Sequence, residues 1–176
     1  MDIRIQKTET AIKNAFLELR AQKSVEKITV KELCQKAQIN KSTFYTHYED
    51  IYALSDAMQA ETIDFVLGTI AQGEWSVRDP GALTRAIFQA TIAHRSLING
   101  LFSVRERPRL ANALETGVKE MIYRNDPELR EDVEKSILLT FCIQGGYHAY
   151  LNHQDVDEER LAAVSERISR TLQPLY

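Results

Sequence analysis

Glycine and proline are scarce in this chain, at 7 and 4 of 176 residues, which argues against a loop-rich all-β architecture. Cysteine is scarcer still. Cys34 and Cys142 lie in separate apolar stretches with no metal-ligand spacing, a pattern that fits a reducing interior and not a disulfide framework. No apolar run approaches the roughly 18 residues of a membrane span, and the charged N-terminus does not read as a signal peptide. A soluble, cytoplasmic protein with no membrane partner is expected.

Signatures of catalysis are missing as well. The sequence has no Gly-rich phosphate loop, no H-E-x-x-H and no nucleophile elbow. His94, His148 and His153 are lone imidazoles, and the last two are five residues apart, off the i, i+4 face that a helical metal site prefers. No catalytic residue, metal or cofactor is assigned, and an enzyme is not expected.

Net charge is only −3, from 22 Lys+Arg and 25 Asp+Glu, and it is unevenly spread. Residues 1–52 carry 9 basic and 7 acidic side chains, the remainder 13 and 18, so a head of +2 precedes a body of −5. A locally basic head suits a nucleic-acid partner, because phosphate attraction is short-ranged under salt screening. Ordinary scatter of surface charge would look the same, so charge supports that reading without deciding it.

What the chain does have is 44% hydrophobic residues, repeatedly at helical spacing, enough for one large helical domain or a small one plus a larger one. An all-α fold of about nine helices is predicted. The first runs about Arg4–Lys23 with Ile12, Phe16 and Leu19 as its buried stripe, and a long fourth runs about Asp50–Gln72, ending before Gly73. Asp79-Pro80 opens a fifth helix reaching about Arg95, a short sixth covers Leu97–Phe102, and Pro108 starts a seventh ending near Asn125. Asp126-Pro127 is expected to start the eighth, reaching about His153, and Asp157–Leu172 is the ninth. With no linker in between, the seam falls within the fourth helix. Residues 1–52 and 53–176 are the two domains expected.

Residues 29–48, TVKELCQKAQINKSTFYTHY, carry the most information. Thr29 followed by Glu32 forms the S/T-x-x-E capping box, and Val30, Leu33, Cys34 and Ala37 repeat on one helical face. Gln38-Ile39-Asn40 is a tight turn, with Asn40 capping the next helix and Ile39 and Phe44 pointing into a small core. Lys41, Ser42, Thr43, Tyr45, Thr46 and His47 are left as a surface of donors and hydroxyls on a short helix of the kind that enters the major groove. From the residues, Lys41, Ser42 and Thr46 are assigned to base edges. Phe44 and Tyr48 read as core, and packing against the first helix is an alternative role for Tyr45.

This segment resembles the DNA-binding domain of the TetR family of one-component regulators. Thr29-Val30, Leu33, Ala37, Ile39, Thr43, Tyr45, His47 and Tyr48 match the family pattern, as does Leu54 in the following helix. The resemblance covers about the first third of the chain. It implies that Thr43, Tyr45 and His47 hold phosphates, with Thr29 adding one contact. Two departures stand out. Gln38 occupies the place of a turn glycine, and Ile51, after Glu49 and Asp50, replaces a phosphate-contacting lysine.

A second signal lies in the last two helices. Leu161, Val164, Ile168 and Leu172 form one stripe of the ninth, and the eighth carries Ile137, Leu138, Phe141, Cys142, Gly145, Gly146 and Ala149. Glycines inside a helix cost about 1 kcal/mol each relative to Ala, so they usually admit a close neighbour. That neighbour is either a partner protomer in a four-helix homodimer interface, as the resemblance implies, or a helix or cavity of the same chain. A dimer would read a palindromic operator in double-stranded DNA, with half-sites about one turn apart.

Phe65, Trp75, Phe88, Ile92 and Phe102 in the middle helices supply apolar surface with polar tips. Met121, Tyr123, Phe141, Tyr147 and His148 extend it into the seventh and eighth. These residues are either plain core or the pocket for a small-molecule effector that the resemblance implies. The expected function is a sequence-specific transcriptional repressor released by such an effector. A relative controlled by a partner protein, or an activator, is the alternative, and a helical ligand or metal carrier the remote one.

Overall fold

Helix starts in this chain are set by side-chain caps. Thr29 Oγ1 accepts the Glu32 amide at 3.3 Å, and Asp50 the Ala53 amide at 2.7 Å. Asp79, Asp132 and Asp157 likewise accept the amides of Ala82, Lys135 and Arg160 at 2.9–3.0 Å. Each bond satisfies one of the donors that a helix N-terminus leaves without an internal partner. The computed structural model of the chain describes residues 3–172, and among them it has nine α-helices and no strand. They are α1 (Ile3–Arg20), α2 (Val30–Ala37), α3 (Lys41–Tyr45), α4 (Ile51–Ala71) and α5 (Pro80–Ala93). Then follow α6 (Arg95–Leu101), α7 (Arg107–Asn125), α8 (Val133–Asn152) and α9 (Glu158–Arg170). The expected spans hold to within a few residues, except at the eighth helix. Pro127–Arg130 there forms a separate 3-10 turn anchored by buried Leu129, and the Asp132 cap starts α8 six residues later than Pro127 suggested. Proline is compatible with either kind of first turn, whereas the cap selects one start.

The chain forms two compact units. The first runs through Thr62 and also takes in Ser96–Ser103; the second comprises Ile63–Arg95 and the chain from Val104 onward. Ile12, Phe16 and Leu19 of α1, Leu33 and Cys34 of α2, and Phe44 of α3 are buried in the first unit. Ile51, Leu54 and Met58 of α4 are buried there too. The Leu101 carbonyl accepts from Gln59 Nε2 at 3.0 Å and Arg20 at 3.4 Å, tying the inserted segment to α4 and α1. Lys13 bridges Glu9 and Glu61, at 2.9 Å to each.

In the second unit α5 packs chiefly on α9 and α8. Arg85 holds Glu166 at 2.5 Å and Glu159 at 2.9 Å, and Thr84 donates to Ser169 at 2.8 Å. Phe88, Tyr150, Leu161 and Ala162 form an apolar cluster beside this polar seam. Between α7 and α8, the Glu115 carboxylate accepts from Thr140 at 2.6 Å and Gln144 at 2.9 Å and pairs with Lys119 at 2.8 Å. Burial alone would raise the Glu115 carboxyl, but those three partners outweigh it and hold it at about 2.

Two outcomes follow for stability. A pKa depressed in the folded chain stabilises it above the ordinary value of 4.5, and that contribution is lost as pH falls from there toward 2. Glu115→Gln should therefore lower the melting temperature at pH 7 and flatten its decline through that acid window, as thermal scans would show. Gln38 lies in the left-handed region at φ 56°, ψ 43°, a conformation glycine adopts at no steric cost. Gln38→Gly should stabilise the chain by about 0.5–1 kcal/mol, the relieved strain exceeding the added freedom of the unfolded state. Denaturant titration checks this.

Candidate nucleic-acid interface

The turn between α2 and α3 fixes which way the short helix faces. Gln38 closes α2, and the Ile39 amide donates to the Cys34 carbonyl at 3.0 Å, so the chain reverses within three residues. Asn40 takes the cap position of α3, with its carbonyl accepting the Phe44 amide at 3.1 Å, but its side chain makes no cap bond, contrary to expectation. The capping box is also half made. Thr29 caps α2, while the Glu32 carboxylate turns to Lys23 at 2.6 Å instead of reaching back. Ile39 is only half-buried, so Phe44 is the anchor.

With Phe44 fully buried, the remaining faces of α3 follow from about 100° of rotation per residue. Ser42 and Thr46 then lie about 160° from it, directly outward, and Thr43 and Tyr45 about 100° to either side. The observed exposures agree. Lys41, Ser42 and Thr46 are exposed, Thr43 and His47 half-buried, and Tyr45 is 57% exposed while resting edge-on against Phe44 at 5.5 Å. The ring thus packs at its base and presents its rim to solvent. Tyr48 is half-buried beside Phe44, at 6.0 Å between ring centres.

Two hydroxyls are already partly committed. Thr46 Oγ1 donates to the Thr43 carbonyl at 2.7 Å, so toward an external partner it offers lone pairs alone. Thr29 Oγ1 accepts from Glu32, which leaves its proton free for an acceptor such as a phosphate oxygen.

Ile51 requires a correction. It is 5% exposed, on the same buried stripe as Leu54 and Met58, and is therefore a core residue and not a vacated phosphate contact. The i, i+3, i+7 spacing of these residues was the available signal. Its neighbour Tyr52 is 54% exposed in the first turn of α4 and was not anticipated.

The stripe expected at α8 and α9 divides in two. Phe141 is 67% exposed, Ile168 is exposed, and a Cβ added at Gly145 would meet nothing within 4 Å. Phe141, Gly145, Ala149, Ile168 and Leu172 line a shallow hollow of about 140 Å³. Gly146, by contrast, is buried, and a Cβ there would lie 3.3 Å from Thr84 of α5. Leu161 is buried in the Phe88 cluster, Ala149 packs against it, and Val164 is half-buried. Val133 and Ile137, both exposed, extend the outward row of Phe141 and Gly145 at i+4 steps, and of these Val133 was missed.

The effector-pocket candidates are not gathered around one cavity. Phe102 belongs to the first unit. In the second, Phe88, Tyr123 and Tyr147 are buried, and Ile92, Trp75 and Met121 are half-buried. The Trp75 indole donates to the Ile70 carbonyl at 2.6 Å. Phe65 is exposed and stacks on His94, whereas Phe141 and His148 face solvent.

No family model and no curated protein matches the sequence. Solved structures do match the fold. A TetR transcriptional regulator from Streptococcus agalactiae 2603V superposes with a TM-score of 0.62 at 22% identity, covering 95% of this chain and 96% of that one. A TetR family transcription regulator from Marinobacter aquaeolei VT8 superposes with a TM-score of 0.56 at 15% identity, covering 97% of both chains. From α1 through α9, this chain has the all-α fold of the TetR-family transcriptional regulators.

Proposed function

We propose that this protein is a TetR-type transcriptional regulator that binds an inverted-repeat operator as a homodimer. The observation that carries the reading is α3 itself. It is held by Phe44, with Ser42 and Thr46 outward, Lys41 and Tyr45 beside them, and Thr29 supplying a free hydroxyl proton from the start of α2. In this reading Lys41, Ser42 and Thr46 meet base edges, the last as an acceptor for an exocyclic amine of adenine or cytosine. Thr29, Thr43, Tyr45 and His47 grip phosphates and set the register. The fold supports binding in place of catalysis, and repression relieved by a small effector is the regulatory mode we propose.

The outward row of α8 supports the dimer. Val133, Ile137 and Phe141 are 71%, 62% and 67% exposed, a contiguous apolar stripe that a lone helical protein has reason to cover. An open glycine in mid-helix, Gly145, continues it, with no neighbour among the described residues to explain its smallness. Two such faces meeting about a two-fold axis would space the reading helices for a palindrome.

Duplexes selected from a random library should be inverted repeats, bound with an affinity that falls steeply as salt rises. Lys41→Ala should alter preference at one or two base pairs by about 1–3 kcal/mol, whereas Tyr45→Phe should weaken every duplex alike. A uniform loss with Lys41→Ala would remove it from the base edges. Gly145→Leu adds a side chain where the protomer has free space, so helical circular dichroism should survive while sedimentation shows a monomer that no longer holds the palindrome. A Gly145→Leu dimer of unchanged DNA affinity would mean that the interface lies elsewhere.

A further inference from the structure

Two buried donors of the second unit have nothing to donate to among the described residues. The Tyr147 hydroxyl, on a residue 1% exposed, and the Arg107 Nε lie out of solvent with no hydrogen-bond partner there. Such groups are rare in folded proteins, because each loses its hydration without replacement. The two are also neighbours in the electrostatic sense. Burial pushes the Tyr147 hydroxyl up to about 12 and the Tyr150 hydroxyl above its ordinary value, and the Arg107 charge opposes both.

The unmet chemistry is specific. A guanidinium Nε–H only donates, and a phenol can donate, so the common complement is an acceptor shared by both. Among the described residues no carboxylate pairs with Arg107, so a neutral acceptor would meet the hydrogen bonds but leave the charge uncompensated. A carboxylate meets both needs, and its two oxygens suit a guanidinium. Arg107 is half-exposed although its Nε is not, so part of the guanidinium is reachable from the surface. Arg105, Arg107 and Arg109 stand around a single Glu106 at the start of the 19-residue α7, whose N-terminal dipole has the same positive sign. Tyr150, one turn beyond Tyr147 on α8, packs among apolar residues, Phe88 and Leu161 among them, which suit the hydrocarbon end of a small acid.

We infer that Arg107 and Tyr147 form a binding site for a small monocarboxylate, which is the effector of the regulator proposed above. Tyr147 donates to one carboxylate oxygen and Arg107 neutralises the charge. The site occupies α7 and α8, so its filling acts on the helix that bears the outward apolar row.

The probes are sodium butyrate and sodium benzoate, compared with 1-butanol and benzyl alcohol, and with sodium chloride and inorganic phosphate at matched ionic strength. Melting of the full-length protein should rise by a few degrees with a saturating carboxylate and not with the alcohols or the salts. Tyr147→Phe removes the orphaned hydroxyl without changing the ring, so it should fold with unchanged circular dichroism, melt no lower than the parent and lose the carboxylate response. Arg107→Lys, which keeps the charge but not the Nε–H, should weaken that response at least tenfold in half-saturating concentration. No shift with either acid, an equal shift with chloride or phosphate, or an undiminished shift in Tyr147→Phe would overturn the site. The same acids should loosen the selected duplex, and stabilisation without such loosening would overturn the effector role. Failure of the parent protein to bind any duplex would sink the regulator reading instead, while the melting series still decides the site.

Discussion

Burial of one aromatic ring sets the geometry on which the rest depends. Phe44 is the only side chain of the five-residue α3 that is buried, and a helix this short has little intrinsic stability in water. Its orientation is therefore borrowed from the ring's place among the apolar residues of α1, α2 and α4 in the first unit. Once Phe44 is fixed, helical rotation assigns every other side chain of α3 to a direction, and the hydroxyls fall on the outward arc. Tyr45 carries the consequence furthest. Its ring leans on Phe44 at 79°, which steadies it while its hydroxyl stays available.

In the second unit the arrangement is one of polar seams around apolar cores. Arg85 with Glu159 and Glu166, and Glu115 with Lys119, Thr140 and Gln144, join helices side by side with hydrogen-bonded charge that leaves few loose ends. Against that background, the unmatched groups at Arg107 and Tyr147 and the uncovered row on α8 are exceptions. Locally consistent folds concentrate such exceptions where something else is meant to bind.

Much of this could be read from the sequence, and the failures have identifiable causes. Helix-turn-helix boundaries were legible because capping residues and a strong 3.6-residue period agree over residues 29–45. The start of α8 was misplaced because Pro127 and Asp132 both signal a helix, and only the structure shows that the first leads to a 3-10 turn. Ile51 was misjudged by matching a position to a family pattern when its own spacing to Leu54 and Met58 placed it in the core. Leu161 and Ile168 looked alike on a helical stripe, yet one is buried and the other exposed, since a stripe wider than its intramolecular contact cannot show where that contact ends. The orphaned Tyr147 hydroxyl had no sequence signal at all, because lack of a partner is a property of packing and not of residue type.

The chain path between the two units carries a consequence for folding. The first unit receives α1 through the early part of α4 and later regains the chain at Ser96–Ser103, so the polypeptide passes between units at residues 62, 95 and 103. The Leu101 carbonyl that accepts from Arg20 and Gln59 arrives only with that second visit, together with the buried side chains of Ile98 and Phe102. A fragment ending at Thr62 thus contains α2 and α3 whole but not the whole hydrophobic core of the first unit. On the ribosome, this head stays unfinished until α5 and α6 have emerged. Grafting the head onto another protein as a tail-free module would leave behind part of what holds it together.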